Sequence, residues 1–241
     1  MQQSCLGILG GMGPLAGATF LARLTLLTPA TRDQDHLPAV LWSDPRVPDR
    51  TAARVAGGPD PLPMLLNGIR GLETAGCDAI AIPCNTAHGW YEQMAAAAHV
   101  PILHIVEATA DELLRLGVRS GRIGLLSTRG TLAMRLYQDR LEARGYGCVM
   151  PTEDEMQRLV SPGIAHVKAN RITEARGPLL DMAVLLAHRG ADAIVLGCTE
   201  IPLAVSAETD ADLLGVPIAD SIDALARAAL VRAGHSLRAA A

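Results

Sequence analysis

Two stretches of this chain, 114 positions apart, follow one pattern, and that duplication limits the folds open to it. Superimposing Cys84 on Cys198 also pairs Leu72 with Leu186, Gly76 with Gly190, and Asp78-Ala79-Ile80 with Asp192-Ala193-Ile194. Downstream, "VPILHIVEAT" from Val100 matches "VPIADSIDAL" from Val216, and upstream "GILGG" from Gly7 matches "GLLST" from Gly124. The offsets of 114, 116 and 117 keep the order of elements with small insertions, as two half-length units from one plan would. Short apolar runs at 6–11, 39–44, 78–84, 101–105, 122–128, 147–151, 192–198 and 216–220 read as strands. Helix-length patterns such as "PLAGATFLARLTLL" and "TLAMRLYQDRLEARG" separate them, several closing on glycine (Gly76, Gly117, Gly145, Gly190) as left-handed caps. Fully apolar strands alternating with helices predict parallel sheets covered on both faces. The fold class is therefore α/β, with two similar Rossmann-like domains related by pseudo-symmetry. Residues 1–105 with about 216–241 are expected to form the first and about 106–215 the second. Ligands of such sheets sit beyond the carboxyl ends of the strands, here the cleft between the domains. Cys84 and Cys198 both end strands and should face each other there.

Bulk properties remove several function classes. The formal charge is −4 and no basic cluster occurs, so nucleic acid is not expected as a partner. No apolar run approaches the roughly 18 residues of a membrane span. The start "MQQSCLGILGGMG" lacks a signal-peptide pattern, so a cytoplasmic location is expected and no membrane partner. The 5 cysteines show no CxxC spacing, which signals neither a disulfide framework nor a zinc site. Lys168 is the single lysine.

The glycine loop "GILGGMGPLA" holds Gly11-x-Gly13-x-x-Ala16, with Asp33 or Asp35 about 20 residues on, a partial dinucleotide fingerprint. Those acids lie in the loop-like "PATRDQDHLP" instead of at a strand end. The plainer reading is a tight strand-to-helix turn whose N–H groups hold a carboxylate.

Cys5, Cys77 and Cys148 read as buried, inert thiols. Cys84 and Cys198 differ, since each meets hydrogen-bonding neighbours, Asn85-Thr86 and Thr199-Glu200, that favour a thiolate. Paired thiols across a cleft suit removal of a proton from one face of a carbon and its return to the other. A cysteine hydrolase using His88, His104 or His166 as base is the alternative, but it leaves the second cysteine without a role.

Taken together, "GILGGMGPLA", "PDRT" (48–51), "PCNTAH" (83–88), "PTEDE" (151–155), "HVKAN" (166–170) and "GCTEIPL" (197–203) resemble the cofactor-independent aspartate/glutamate racemases over nearly the whole chain. The resemblance implies Cys84 and Cys198 as catalytic residues, and Arg50 and Lys168 as ligands of substrate carboxylate. It also implies a small amino acid substrate, no cofactor, no metal and a homodimer. Glu200 stands where glutamate racemases carry His, which favours the aspartate branch. On this mechanism Met12, Asn85, Thr86, Thr199 and Glu200 line the substrate site, and Thr128 takes the position in the second half that repeats Gly11. The rivals are racemases or isomerases of related architecture acting on glutamate, hydantoins or maleate, an arylmalonate decarboxylase, and a non-catalytic amino-acid-binding protein.

Overall fold

The computed structural model describes residues 4–235. The first half runs β1 (Leu6–Gly10), α1 (Pro14–Leu27), β2 (Ala39–Ser43), α2 (Arg50–Val55), α3 (Leu62–Thr74), β3 (Ala79–Ala81), α4 (Tyr91–Ala97), β4 (Ile102–Leu103) and α5 (Ile105–Arg115). The second runs β5 (Gly121–Ser127), α6 (Arg129–Ala133), α7 (Gln138–Ala143), β6 (Tyr146–Val149), α8 (Glu153–Glu155), α9 (Ser161–Lys168) and α10 (Ile172–His188). It closes with β7 (Ala193–Gly197), α11 (Ala207–Leu214), β8 (Ile218–Asp220) and α12 (Ser221–Arg232).

Each half builds a 4-stranded parallel sheet, in the orders β2-β1-β3-β4 and β6-β5-β7-β8. The second order is the first repeated, so the duplication read from the chain is a duplication of topology. Every residue of β1 and β7 is buried, as strands covered on both faces require. The caps at Gly76, Gly117, Gly145 and Gly190 all have positive φ, between 81° and 85°.

One boundary differs from expectation. The strand within 216–220 does not return to the first domain: Ile218–Asp220 pairs with β7 in the second sheet, with Ile194 opposite Ile218. It is the counterpart of β4, as the 116-residue offset between "VPILHI" and "VPIADS" requires. The helices that follow these two strands cross over. α12 packs on α1 and β4 of the first half, α5 packs on β7, β8 and α7 of the second, and the two helices pack on each other. A shared core results, joining Leu6, Ile8 and Phe20 to Ile123, Leu125, Tyr137 and Ile222. Arg23 of α1 adds an ion pair to Asp223 of α12 at 2.6 Å. Each half keeps its own outer core as well, around Leu65 and Ile80 in the first and Leu179 and Ile194 in the second.

A further difference lies after β5. The pattern "TLAMRLYQDRLEARG" predicts one helix, whereas the chain forms α6 and α7 with Arg135 between them at φ 51°. That break turns Tyr137 into the core, where it is fully buried.

Candidate active site

The turn after β1 is set by Gly11, at φ 91°, where a Cβ would lie 2.4 Å from the Asp44 backbone. It delivers Met12 and Gly13 to the cleft. The Gly13 N–H donates to Glu200 Oε1 at 2.8 Å, so this loop does hold a carboxylate, that of a side chain from the other half. β3 and β7 end just before Pro83-Cys84 and Cys198, and short 3-10 turns at Thr86–Trp90 and Ile201–Leu203 carry the chain away. The two cysteine loops are tied directly: the Thr199 hydroxyl donates to the Pro83 carbonyl at 3.1 Å.

A cavity of about 20 Å³ lies between the loops, with room for about one water molecule. All nine side chains expected to act on or bind substrate line it: Met12, Arg50, Cys84, Asn85, Thr86, Lys168, Cys198, Thr199 and Glu200. Asp49, Thr51 and Thr128 complete the lining. Asp49 and Thr51 flank Arg50 in "PDRT", so adjacency to a singled-out residue was the signal for them. Outside it opens a larger pocket of about 420 Å³, walled by Leu15, Pro45, Val47 and Leu203 and sharing Asp49, Arg50, Lys168 and Glu200 with the inner one. Where the two meet, Lys168 of the second half pairs with Asp49 of the first at 3.5 Å.

The cysteines sit in unlike surroundings. Cys198 Sγ donates to Glu200 Oε2 at 3.1 Å. Burial first, and the Glu200 charge second, push the Cys198 thiol well above its ordinary value. Burial pulls the Lys168 ammonium down, but Glu200, Cys198 and Asp49 outweigh it and hold it above its ordinary value.

Arg50 is 93% shielded from solvent, its exposed fraction being 7%. Nη1 donates to the carbonyls of Val47 and Pro48 at 3.1 and 3.0 Å, and Nη2 to that of Met12 at 3.2 Å. Its buried Nε has no partner among the described residues. A guanidinium pinned by neutral carbonyls, with an unused donor, is a site for an anion.

Hydroxyls join the halves beside the cavity. Thr86 Oγ1 lies 2.9 Å from Thr128 Oγ1 and 3.0 Å from Thr131 Oγ1, while Thr128 caps α6 through the Thr131 N–H at 3.1 Å. The Asn85 amide is engaged from behind: Oδ1 accepts from Tyr137 Oη at 2.6 Å and Nδ2 donates to Ser221 Oγ at 3.0 Å. Tyr137 lies inside a pattern that reads as plain helix and Ser221 inside the repeated "VPIADSIDAL", where neither is marked as a site residue.

Among the described residues, none of the three histidines considered as a cysteine's base is hydrogen-bonded to a cysteine sulfur. His88 Nδ1 donates to the Cys84 carbonyl at 2.9 Å, and Nε2 accepts from the Ile105 N–H at 3.2 Å. Burial pushes this imidazole down to about 4, so it is a neutral brace. His104 caps α5 through the Val106 N–H, and His166 lies beside Glu174. Among the described residues there is no group of His, Cys, Asp and Glu side chains arranged to hold a metal ion. Among the same residues, no helix is long and apolar enough to cross a membrane.

A model of the family described as Asp/Glu/hydantoin racemase matches residues 9–229. The broad-specificity amino-acid racemase RacX of Bacillus subtilis is 30% identical over 226 residues, covering 92% of this chain and 95% of that protein. The structure of an aspartate racemase from Picrophilus torridus superposes with a TM-score of 0.85 and 34% identity, covering 98% of this chain and 96% of that one. A glutamate racemase of Deinococcus radiodurans is 31% identical over 175 residues, covering 70% of this chain and 53% of its own length.

Proposed function

Since the chain belongs to the Asp/Glu/hydantoin racemase family, and so is an isomerase, we propose that it interconverts L- and D-aspartate by passing a proton between Cys84 and Cys198 without a cofactor. The observation that carries this reading is the inner cavity, into which repeat-related loops bring one thiol from each half.

The inner cavity is too small for an amino acid, so substrate entry requires the halves to part and to exchange the Lys168–Asp49 contact for contacts to substrate. One substrate carboxylate takes the free Nε–H and Nη2–H of Arg50, a side-on fork, and Lys168 supplies a point charge. The Cα then lies between the sulfurs. Cys198, held as thiol by burial and by Glu200, is the acid of the resting enzyme. Cys84, as thiolate, removes the α-proton, and Cys198 delivers its own to the opposite face. For the other enantiomer the roles reverse: the form left by the first turnover, with Cys84 now the thiol and Cys198 the thiolate, begins that reaction and returns the resting form. Charge developing on the substrate carboxylate is met by N–H groups of the two cysteine loops and by the hydroxyls of Thr86 and Thr199. Met12 closes one wall.

The outer pocket supports a second reading, racemisation of amino acids with longer side chains. Its 420 Å³ and its walls of Leu15, Val47 and Leu203 exceed what a CH₂COO⁻ group fills. Chiral chromatography separates the two. Pure protein is incubated with L- and D-aspartate, glutamate, leucine and methionine. The first reading requires turnover of aspartate above all others; faster turnover of leucine or methionine establishes the second. Inversion of none of them refutes both. A homodimer, as the family resemblance implies, and a cytoplasmic location, as expected from the sequence, form part of the proposal, and sedimentation equilibrium tests the dimer.

A further inference from the structure

One buried side chain touches both cysteine loops without lining the cavity. Tyr137 comes from the break between α6 and α7, and its hydroxyl donates to Asn85 Oδ1, next to Cys84, at 2.6 Å. Its ring lies against Gly197, next to Cys198, so closely that a Cβ there would sit 2.9 Å from Tyr137 Cε2. A second route joins the same two points. Asn85 Nδ2 donates to Ser221 Oγ at 3.0 Å, and that hydroxyl donates to the Leu196 carbonyl of β7 at 2.7 Å. Thr109 Oγ1, from α5, lies 3.3 Å from the tyrosine hydroxyl.

The bracket is therefore closed: hydroxyl on one loop, ring on the other, and an amide–hydroxyl–carbonyl relay in parallel. Buried hydrogen-bonded networks of this kind fix geometry because each member left unpaired costs its full desolvation. Proton transfer across a carbon depends steeply on the spacing of donor and acceptor. We propose that Tyr137 is a positioning residue that sets the separation and aim of the Cys84 and Cys198 loops, acting through Asn85 on one side and Gly197 on the other. The proposal rests on the two-thiol reading above.

Two substitutions address the two ends of the bracket. Tyr137→Phe keeps the ring and removes the hydroxyl that holds Asn85. Gly197→Ala keeps the hydroxyl and pushes the ring away from the Cys198 loop. Enantiomers have equal energy, so any change in kcat/KM must be the same in both directions. The α-deuterium isotope effect has no such constraint, because each direction begins with abstraction by a different sulfur. Melting curves first confirm that each variant is folded. Tyr137→Phe is expected to lower kcat/KM about 10- to 100-fold and to raise the isotope effect only in the direction where Cys84 abstracts. Gly197→Ala is expected to raise it in the opposite direction. Wild-type rates in Tyr137→Phe would overturn the proposal, as would losses that merely follow the folded fraction or isotope effects that shift equally in both directions. Failure of the two-thiol reading itself has a separate signature, retention of racemisation by Cys84→Ser.

Discussion

Cys198 Sγ donates to Glu200 Oε2 at 3.1 Å, and no carboxylate accepts from Cys84 Sγ in this way among the described residues. The duplicated fold thus presents two thiols that are alike in position and unlike in electrostatics. Glu200 itself is anchored from the first half by the Gly13 N–H. Glu200→Gln removes a negative charge that helps keep Cys198 protonated, so its thiol should ionise at lower pH. The ultraviolet thiolate band, titrated in Glu200→Gln and in Glu200→Gln/Cys198→Ser, isolates Cys198 by difference. A midpoint well below that of the same difference measured with Glu200 intact is the expected result; an unchanged midpoint would show that burial alone holds the thiol.

Arg50 satisfies three carbonyls and keeps Nε free, a combination that lysine cannot reproduce. Arg50→Lys should lower kcat/KM for aspartate by about 100-fold or more, roughly 2.7 kcal/mol of transition-state binding. It should also cost roughly 1–3 kcal/mol of stability from carbonyls left without donors. Steady-state kinetics and urea unfolding measure the two effects. A fully active Arg50→Lys would remove the guanidinium from substrate recognition.

The sheets and the cavity lining were legible because they rest on local pattern and on repetition. Apolar runs such as "DAIVLGC" announce strands, and motifs repeated in the same order at offsets of 114 to 117 announce a second copy of their surroundings. What escaped depends on three-dimensional exchange between the halves. The assignment of Ile218–Asp220 failed because the strand and the helix after it go to different places: the strand closes the second sheet while α12 crosses to α1. Tyr137 was hidden inside a continuous helical pattern, and the break at Arg135 that turns it inward has no glycine or proline to mark it. Asn85 lines the cavity as its neighbour Cys84 does, but the partners of its amide, Tyr137 and Ser221, lie 52 and 136 positions away, beyond any local pattern.

His88 makes stability depend on pH in a defined direction. Its imidazole is neutral in the fold, pushed down to about 4 by burial, against an ordinary value of 6.5. Below pH 6.5 the unfolded chain therefore binds a proton that the folded chain refuses, and stability falls as pH drops from 6.5 toward 4. The loss amounts to roughly 3 kcal/mol over that window. Asp220 works the other way, being raised to about 7 by burial and then by Asp223, so its contribution declines as pH rises from 4 to 7. Comparing wild type with His88→Asn cancels Asp220. Urea unfolding from pH 4 to 7 should show the wild type losing stability on acidification more steeply than His88→Asn; parallel curves would mean that His88 is protonated inside the fold.

In the proposed reaction two different sulfurs handle the α-proton, one on each face. Racemisation of L-aspartate in deuterated water, stopped early and resolved into enantiomers by chiral mass spectrometry, tests it directly. Delivery by the second thiol, whose hydrogen exchanges with solvent, predicts deuterium in nearly all of the newly formed D-aspartate and almost none in the remaining L-aspartate. Deuterium appearing equally in both enantiomers, or D-aspartate that keeps the original α-hydrogen, would mean one shared base and would contradict the two-thiol mechanism.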